Sequence, residues 1–155
     1  MRLASTLLFD DFTIEFFAYG ISADGNSALL KFSTSDGNPC FVLYAGTING
    51  YSLPTGSNPI GKWNHYAFVK SSGSLSCYFN GTKIGSNSCT GHIGTICIGG
   101  NDVDYGGGYY RCYLDNFVIS DTARYTDTFT PPESPVGAYR SLMYLKDKEV
   151  WGMKE

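Results

Sequence analysis

The sequence predicts an all-β protein, built as an antiparallel sandwich of two sheets in one domain. Composition is the first reason, since the 155 residues include 19 Gly, 12 Tyr and 10 Phe, a mixture typical of strands and turns. The second reason is that short segments alternate apolar and polar residues with a period of two. The third is that turn signals separate these segments, and no amphipathic helical pattern interrupts them.

Residues 61–85 predict a three-stranded antiparallel meander. The dipeptide Asn80-Gly81 stands between two strand-like runs, and Asn-Gly is what a two-residue type I′ turn prefers, because both central residues need positive φ. The turn would place Leu75, Cys77 and Phe79 on one face of the strand. The predicted cross-strand pairs are Phe79 with Thr82 and Cys77 with Ile84.

The other strand candidates are expected, in chain order, at residues 12–19, 27–32, 40–44, 51–53, 95–98 and 112–120. Two of them, 12–19 and 112–120, carry apolar or aromatic side chains at both parities. Strands of that kind are covered on both faces. The outer cover would be a loop, a partner chain or a ligand.

Charge and hydropathy exclude two classes of partner. The formal net charge is −3, and the 11 Lys and Arg are scattered along the chain, so no basic stripe is available to neutralise phosphates. The apolar run at residues 7–9 is too short for a signal-peptide core, and no stretch is long enough to span a bilayer. We therefore expect neither nucleic-acid binding nor membrane insertion.

The five cysteines could be free thiols or could form disulfides. They are odd in number and form no Cys-x-x-Cys motif, which favours buried free thiols in a reducing compartment. One or two disulfides remain the alternative. The five residues are Cys40, Cys77, Cys89, Cys97 and Cys112.

Four blocks of sequence together resemble a known family. They are FTIEFFAY, GKWNHYAFVKSSGSLSCYFNGTKIG, ICIGGND and YLDNFVISDTARYTDTFTPP. The chain from Phe12 to Pro132 resembles the laminin-G-like, concanavalin A-like jelly-roll family, in the version common in bacteriophage tail and other virion proteins. The resemblance implies a jelly-roll sandwich over residues 1–136. Residues 137–155 would form a C-terminal extension, as a hairpin or a short helix, packed on the sandwich or linking it to a partner.

The resemblance also implies a function. It suggests a non-enzymatic carbohydrate-binding or adhesion module of a phage virion, in a tail fibre or head decoration, that recognises a cell-surface glycan. The alternative is an assembly protein whose outer sheet face docks neighbouring subunits or a second copy, with Phe17 and Tyr19 in the contact. A glycoside hydrolase is least favoured, because catalysis needs two acids flanking the bond. Glu15 stands alone in its strand, and Asp115 has no second acid two or four residues later.

The richest candidate binding site is the Gly-rich loop between residues 99 and 108, with the tyrosines that follow it. Tyrosine rings can pack against sugar C–H faces, while Asn and Asp bind hydroxyls. Trp63 and His65 share a parity and would add an exposed pair. The alternative is a solvated hairpin loop whose tyrosines pack on their own sandwich. The loop residues predicted to bind ligand are Asn101, Asp102, Asp104, Tyr105, Tyr109 and Tyr110.

Calcium is the cofactor that the family resemblance suggests, with Asp102 and Asp104 as its candidate ligands. Calcium takes six to eight oxygen ligands, and Asp and Asn also occur in turns for local reasons. A structural ion pair is expected elsewhere. Asp115 shares its parity with Phe117 and should lie inward, paired with Arg124 or Arg111.

Overall fold

The computed structural model describes residues 2–23, 28–35, 39–44, 46–98, 110–133 and 144–145. Within these ranges the chain forms β-strands and no helix. The strands are β1 (Arg2–Leu7), β2 (Phe12–Ala23), β3 (Ala28–Thr34), β4 (Pro39–Tyr44), β5 (Thr47–Ile48), β6 (Tyr51–Ser52), β7 (Trp63–Ser71), β8 (Ser74–Phe79), β9 (Thr82–Ser88), β10 (Ile93–Ile98), β11 (Tyr110–Ser120) and β12 (Tyr144–Leu145). The predicted all-β class is confirmed. No part of the described chain is a helix long and apolar enough to cross a membrane.

The strands form two sheets that pack face to face. The first sheet has the order β1-β10-β3-β4-β5-β6, and the second has the order β12-β11-β2-β7-β8-β9. Neighbouring strands are antiparallel except β11 and β12, which run parallel. This arrangement confirms the antiparallel sandwich. β12 falls in the predicted C-terminal extension, whose other residues lie outside the described ranges, so the division at residue 136 stays a prediction.

The core between the sheets is aromatic. Phe16 of β2 stacks on Tyr66 of β7 at 5.3 Å and on Phe117 of β11 at 5.6 Å between ring centroids. Phe32 of the first sheet meets Phe68 of the second edge-on at 5.6 Å. Aromatic pairs in these geometries add to the free energy gained by burying their area. The first two contacts join neighbouring strands of the second sheet, and the contact between Phe32 and Phe68 joins the two sheets.

The predicted meander is present, with one correction to its register. Phe79 pairs with Thr82, as the type I′ turn requires, but Cys77 pairs with Gly85 rather than with Ile84. A bulge between Cys77 and Tyr78 causes the shift, because it inserts one extra residue into β9. Leu75, Cys77 and Phe79 do share the core face, as predicted.

Gly85 has a packing reason to be glycine. A Cβ at this position would lie 2.6 Å from the ring of Tyr51. The hydroxyl of Tyr51 lies 2.9 Å from the Ser86 carbonyl and 2.7 Å from Oδ1 of Asn87. Tyr51 thus crosses from the edge of the first sheet to the edge of the second and closes that side of the sandwich.

The structure supports free thiols rather than disulfides for the four cysteines whose side chains it describes. Cys77, Cys89, Cys97 and Cys112 are free, and the side chain of Cys40 is outside the described part. Burial raises the pKa of Cys77 to about 12 and that of Cys112 to about 11. These two thiols are therefore protonated at neutral pH and are poor nucleophiles.

The turn glycine Gly81 generates the first testable prediction. Its φ is +78°, and an added Cβ would collide with the carbonyl oxygen of Phe129. Gly73 has the same φ with nothing within 4 Å of an added Cβ, so it is a matched control. We expect Gly73→Ala to lower the free energy of unfolding by about 1 kcal/mol and Gly81→Ala by roughly 3 kcal/mol, because only the latter adds a collision to the backbone strain. Urea unfolding measures both, and equal losses would contradict the role of Phe129.

Candidate functional site

The outer face of the second sheet, directed away from the core, carries three successive rows of side chains. Cross-strand register defines the rows, because directly opposed residues point to the same face. From one end, Tyr19 of β2 lies between Trp63 of β7 and Tyr113 of β11. In the next row, Phe17 lies between His65 and Asp115, and in the third, Glu15 lies between Ala67 and Val118.

The first row is partly exposed, and we call it the aromatic row: Trp63, Tyr19 and Tyr113. The centroid of the Tyr19 ring lies 5.8 Å from that of Trp63 and 6.1 Å from that of Tyr113, with interplanar angles of 66° and 45°. Tyr113 is 46% exposed, and the other two rings are half-buried. Three tilted rings across adjacent strands form an amphipathic ridge, with apolar ring surface and three polar groups.

The other end of the outer face is covered by the chain that follows β11. We call residues 121–132 the exit segment. Its apolar side chains Ala123, Tyr125 and Phe129 pack on Ala67, Val69 and Tyr78. The rings of Tyr125 and Phe129 stack at 3.6 Å with an interplanar angle of 4°. These apolar contacts are with β7 and β8 rather than with β2 and β11, for which the outer cover was predicted.

A buried carboxylate anchors the exit segment. Glu15 is 3% exposed, and its Oε1 is ion-paired with Nη1 of Arg124. Its Oε2 accepts hydrogen bonds from the hydroxyl of Tyr125 at 2.8 Å and from Nε2 of His65 at 3.2 Å. Three donors thus satisfy a charge that burial would otherwise make very costly. Two of the three donors belong to the exit segment.

Thr13 adds a second anchor beside Glu15. Its hydroxyl donates to the carbonyl of Thr122 at 2.8 Å and accepts the backbone N–H of Arg124 at 3.0 Å. Further along, the N–H of Phe129 donates to the carbonyl of Gly81 at 3.0 Å. The exit segment is therefore held at both ends and in its middle.

His65 is a neutral hydrogen-bond donor beneath this segment. It is 1% exposed, and its ring lies edge-on between Phe17 at 4.9 Å and Phe129 at 5.7 Å. Burial lowers the pKa of His65 to about 4. Because Nε2 donates to Glu15, Nδ1 is the bare nitrogen, and among the described residues it has no hydrogen-bond partner.

The predicted ion pair of Asp115 with Arg124 or Arg111 is absent from the described part of the chain. Arg124 binds Glu15 instead, and no ion pair to Asp115 or from Arg111 occurs in the described part of the chain. Nor does Asp115 share a face with Phe117. A bulge between Asp115 and Val118, with Asn116 at φ +50°, places Phe117 in the core and Asp115 opposite Phe17 on the outer face. A bulge of this kind reverses the parity that simple alternation predicts.

Of the eight predicted ligand-binding residues, one lies in the aromatic row, two are buried and five lie outside the described ranges. Trp63 belongs to the aromatic row. His65 is not exposed, since the exit segment covers it, and Tyr110 is 5% exposed in the core, with its hydroxyl 3.5 Å from the Pro59 carbonyl. Neither side chain presents a surface to a ligand. Five predicted residues lie outside the described ranges and stay predictions: Asn101, Asp102, Asp104, Tyr105 and Tyr109.

The calcium prediction rests on Asp102 and Asp104 and therefore also lies outside the described residues. Elsewhere in the described ranges, no group of three or more His, Cys, Asp or Glu side chains is placed to hold a metal ion. The sequence did not single out Tyr19 and Tyr113 as ligand-binding residues. Trp63 begins β7, whereas Tyr19 and Tyr113 lie inside β2 and β11, and the register that brings the three together is a tertiary property.

Comparison with known proteins gives the class of the fold. Residues 4–128 match a laminin-G-type family model described as the concanavalin A-like lectin/glucanases superfamily. The chain therefore belongs to this superfamily, as the four sequence blocks indicated. No curated protein sequence matches it.

Several solved structures share the fold at low sequence identity. The heptameric SAP-like pentraxin of Limulus polyphemus has a TM-score of 0.54 and 22% identity, over 79% of this chain and 69% of that one. A candidate carbohydrate-binding protein of Bacteroides ovatus has a TM-score of 0.55 and 16% identity, over 80% of this chain and 42% of that one. The sialidase of Trypanosoma rangeli has a TM-score of 0.55 and 19% identity, over 73% and 21%. The chain thus spans less than half of the latter two proteins, and the likeness establishes the fold alone.

The buried His65 predicts a pH dependence of stability. In the unfolded chain this imidazole takes up a proton below its ordinary pKa of 6.5, whereas the folded protein resists protonation until about pH 4. We expect the free energy of unfolding to fall as the pH is lowered from 6.5 towards 4, by about 3 kcal/mol from this group. His65→Gln should remove that part of the slope in urea unfolding between pH 6.5 and 4.5.

His92 supplies the control for this measurement. It is half-buried, with Nδ1 3.0 Å from the carbonyl oxygen of Phe9. His92→Gln should keep the steep slope of the wild type. A His65→Gln protein with an unchanged slope would show that another group causes the acid sensitivity.

Proposed function

We propose that this chain is a non-enzymatic module that binds glycan through the aromatic row. The observation that carries the proposal is that the exposed ring of Tyr113 and the half-buried rings of Trp63 and Tyr19 lie side by side on the outer face. Aromatic rings pack well against the apolar C–H faces of pyranose sugars, and their polar groups can bond hydroxyls. The ridge is held by β-strands rather than by loops, which keeps its geometry fixed.

The spacing within the row supports an extended ligand. Neighbouring centroids lie 5.8 and 6.1 Å apart, so a ligand in contact with all three rings must extend over more than one ring width. A short oligosaccharide meets this requirement better than a single sugar. The Bacteroides ovatus protein with the same fold, described as a candidate carbohydrate-binding protein, supports sugar as the class of ligand.

The positions and bonding partners of the buried acids Glu15 and Asp115 support binding rather than hydrolysis. Glycoside hydrolysis uses two carboxyl groups that both reach the scissile bond. Glu15 does not reach the open surface, because Arg124, Tyr125 and His65 occupy its oxygens beneath the exit segment. Asp115 is then the one buried carboxylate beside the aromatic row among the described residues. A single acid does not make a glycosidase.

A second candidate function is assembly through the same surface. Ile21 is 47% exposed and lies two residues beyond Tyr19 on β2, at a bulge between Gly20 and Ser22. Exposed apolar patches can mark protein interfaces as well as ligand sites. The contact would not include Phe17, because this side chain is already buried within the chain. It would instead use Ile21 and Tyr113.

The biological setting we propose is a phage virion, in a tail fibre or head decoration, with a cell-surface glycan as the target. Support comes from the four sequence blocks within residues 12–132, which resemble the version of the family that is common in virion proteins. A shallow aromatic site binds weakly by itself, and many copies on one particle would multiply its strength. Peptides of this chain should then occur in purified particles of the phage that encodes it, as measured by mass spectrometry. Their absence from intact particles would overturn the setting while leaving glycan binding open to its own test.

The aromatic row makes a direct prediction about binding. On a glycan array, the multimerised wild-type protein should bind a subset of oligosaccharides, and Tyr113→Ala and Trp63→Ala should each weaken binding by about tenfold or more. Leu8→Ala is the matched control, because Leu8 is a large apolar side chain with 74% exposure that follows β1 of the other sheet. Tyr105→Ala and Asp102→Ala test whether the Gly-rich loop contributes as well.

Two results would count against glycan binding through this surface. One is an array without signal for the wild type, and the other is binding that Tyr113→Ala leaves unchanged. Sedimentation of the same proteins separates the second candidate. A homo-oligomer that dissociates in Tyr113→Ala, together with a silent array, would favour assembly.

A further inference from the structure

Asp115 is placed on the outer face by a local departure from strand geometry. Asn116 has φ +50°, a left-handed conformation uncommon outside glycine, and it lies in the bulge between Asp115 and Val118. Without the bulge, Asp115 and Phe117 would point to the same face, because they are two residues apart. With it, Phe117 enters the core and Asp115 lies opposite Phe17. Bulges next to binding sites commonly redirect one side chain in this way.

The carboxylate of Asp115 is buried but poorly satisfied by the protein. It is 7% exposed, and Oδ1 accepts the backbone N–H of Asn116 at 2.7 Å. Within the described ranges it has no other hydrogen-bond donor and no ion pair, since Arg124 is bound to Glu15. An ionised carboxylate can accept about four hydrogen bonds. Compared with Glu15, which has three donors, Asp115 has acceptor capacity left for a ligand.

The carboxylate of Asp115, which can accept further hydrogen bonds, lies next to the aromatic row. Tyr113 precedes Asp115 by two residues on β11, and both point to the outer face, opposite Tyr19 and Phe17 respectively. Two residues of strand span roughly 7 Å, which is close to the width of one pyranose ring together with its hydroxyls. A sugar packed against Tyr113 would therefore bring its hydroxyls to the carboxylate.

We propose that Asp115 is a specificity-determining residue of this site, where its carboxylate accepts hydrogen bonds from the hydroxyls of a neutral glycan. The proposal rests on the proposed function, because it assigns a role within the same site. Hydrogen bonds from hydroxyls to a carboxylate are short and about twice as strong as neutral ones. They also complete the satisfaction of a buried charge that the protein leaves with one partner.

The same charge selects against acidic glycans. A buried carboxylate is screened less than an exposed one, so it repels a sulfate or carboxylate brought to within a few ångströms. No hydrogen-bond donor of the described residues lies on Asp115 to offset that repulsion, apart from the N–H of Asn116. The site should therefore discriminate through repulsion as well as through attraction.

The test is a binding series on an array of cello-, manno- and galacto-oligosaccharides, each paired with sulfated and sialylated forms. The wild type should bind neutral forms and reject their acidic counterparts. Asp115→Asn should weaken binding of the neutral forms by about tenfold or more and narrow the difference between neutral and acidic forms. Asp127→Asn is the matched control, because Oδ1 of Asp127 also accepts the N–H of the next residue at 2.7 Å but the side chain is exposed. It should bind like the wild type.

Monodeoxy forms of the neutral glycan bound most tightly give a readout that a purely structural role would not change. Loss of one hydroxyl should weaken binding to the wild type and have little effect on Asp115→Asn, if that hydroxyl bonds the carboxylate. Thermal unfolding verifies that the variant is folded. Unchanged neutral binding by Asp115→Asn, or preference of the wild type for acidic glycans, would overturn this inference alone. A wild type that binds no glycan would overturn the proposed function with it.

Discussion

The satisfaction of one buried charge, the carboxylate of Glu15, organises the outer face of this protein. A charge that is 3% exposed must be bonded on most of its lone pairs, and the donors are Arg124, Tyr125 and His65. The first two can reach Glu15 only if the exit segment crosses the sheet. The segment then buries its stacked Tyr125 and Phe129 against the strands, so the polar anchor and the apolar cover depend on each other.

The exit segment covers one part of the outer face, and the binding surface that we propose lies on the other part. The exit segment reaches as far as His65, whose ring contacts Phe129, and its apolar contacts do not include the aromatic row. The rings of this row stand on the same three strands that carry Glu15, Ala67 and Val118. Their positions are therefore fixed by the pairing of β2 with β7 and β11. Two residues with positive φ contribute to this face, since Gly81 leaves room for Phe129 and the bulge at Asn116 redirects Asp115.

Much of the fold follows from patterns that are local in the chain. The period-two alternation of residues 12–19 puts Ile14, Phe16 and Ala18 on one face of the strand, and the core contains all three. The Asn-Gly turn sets the pair Phe79 with Thr82. Both work because they depend on neighbours in sequence. The errors at Cys77 and at Asp115 have a common cause, since each lies beside a bulge, and a bulge adds a residue that no alternation pattern reveals.

The sequence by itself determined the fold class, the family and most strand positions. Only the tertiary structure decided that Arg124 binds Glu15 rather than Asp115, that His65 is buried, and that Tyr19 joins Trp63 and Tyr113 in one row. The physical reason is that these contacts join residues far apart in the sequence. Alternation tells which side chains of one strand share a face, but strands distant in sequence meet in a register that depends on the packing and hydrogen bonding of the whole sheet.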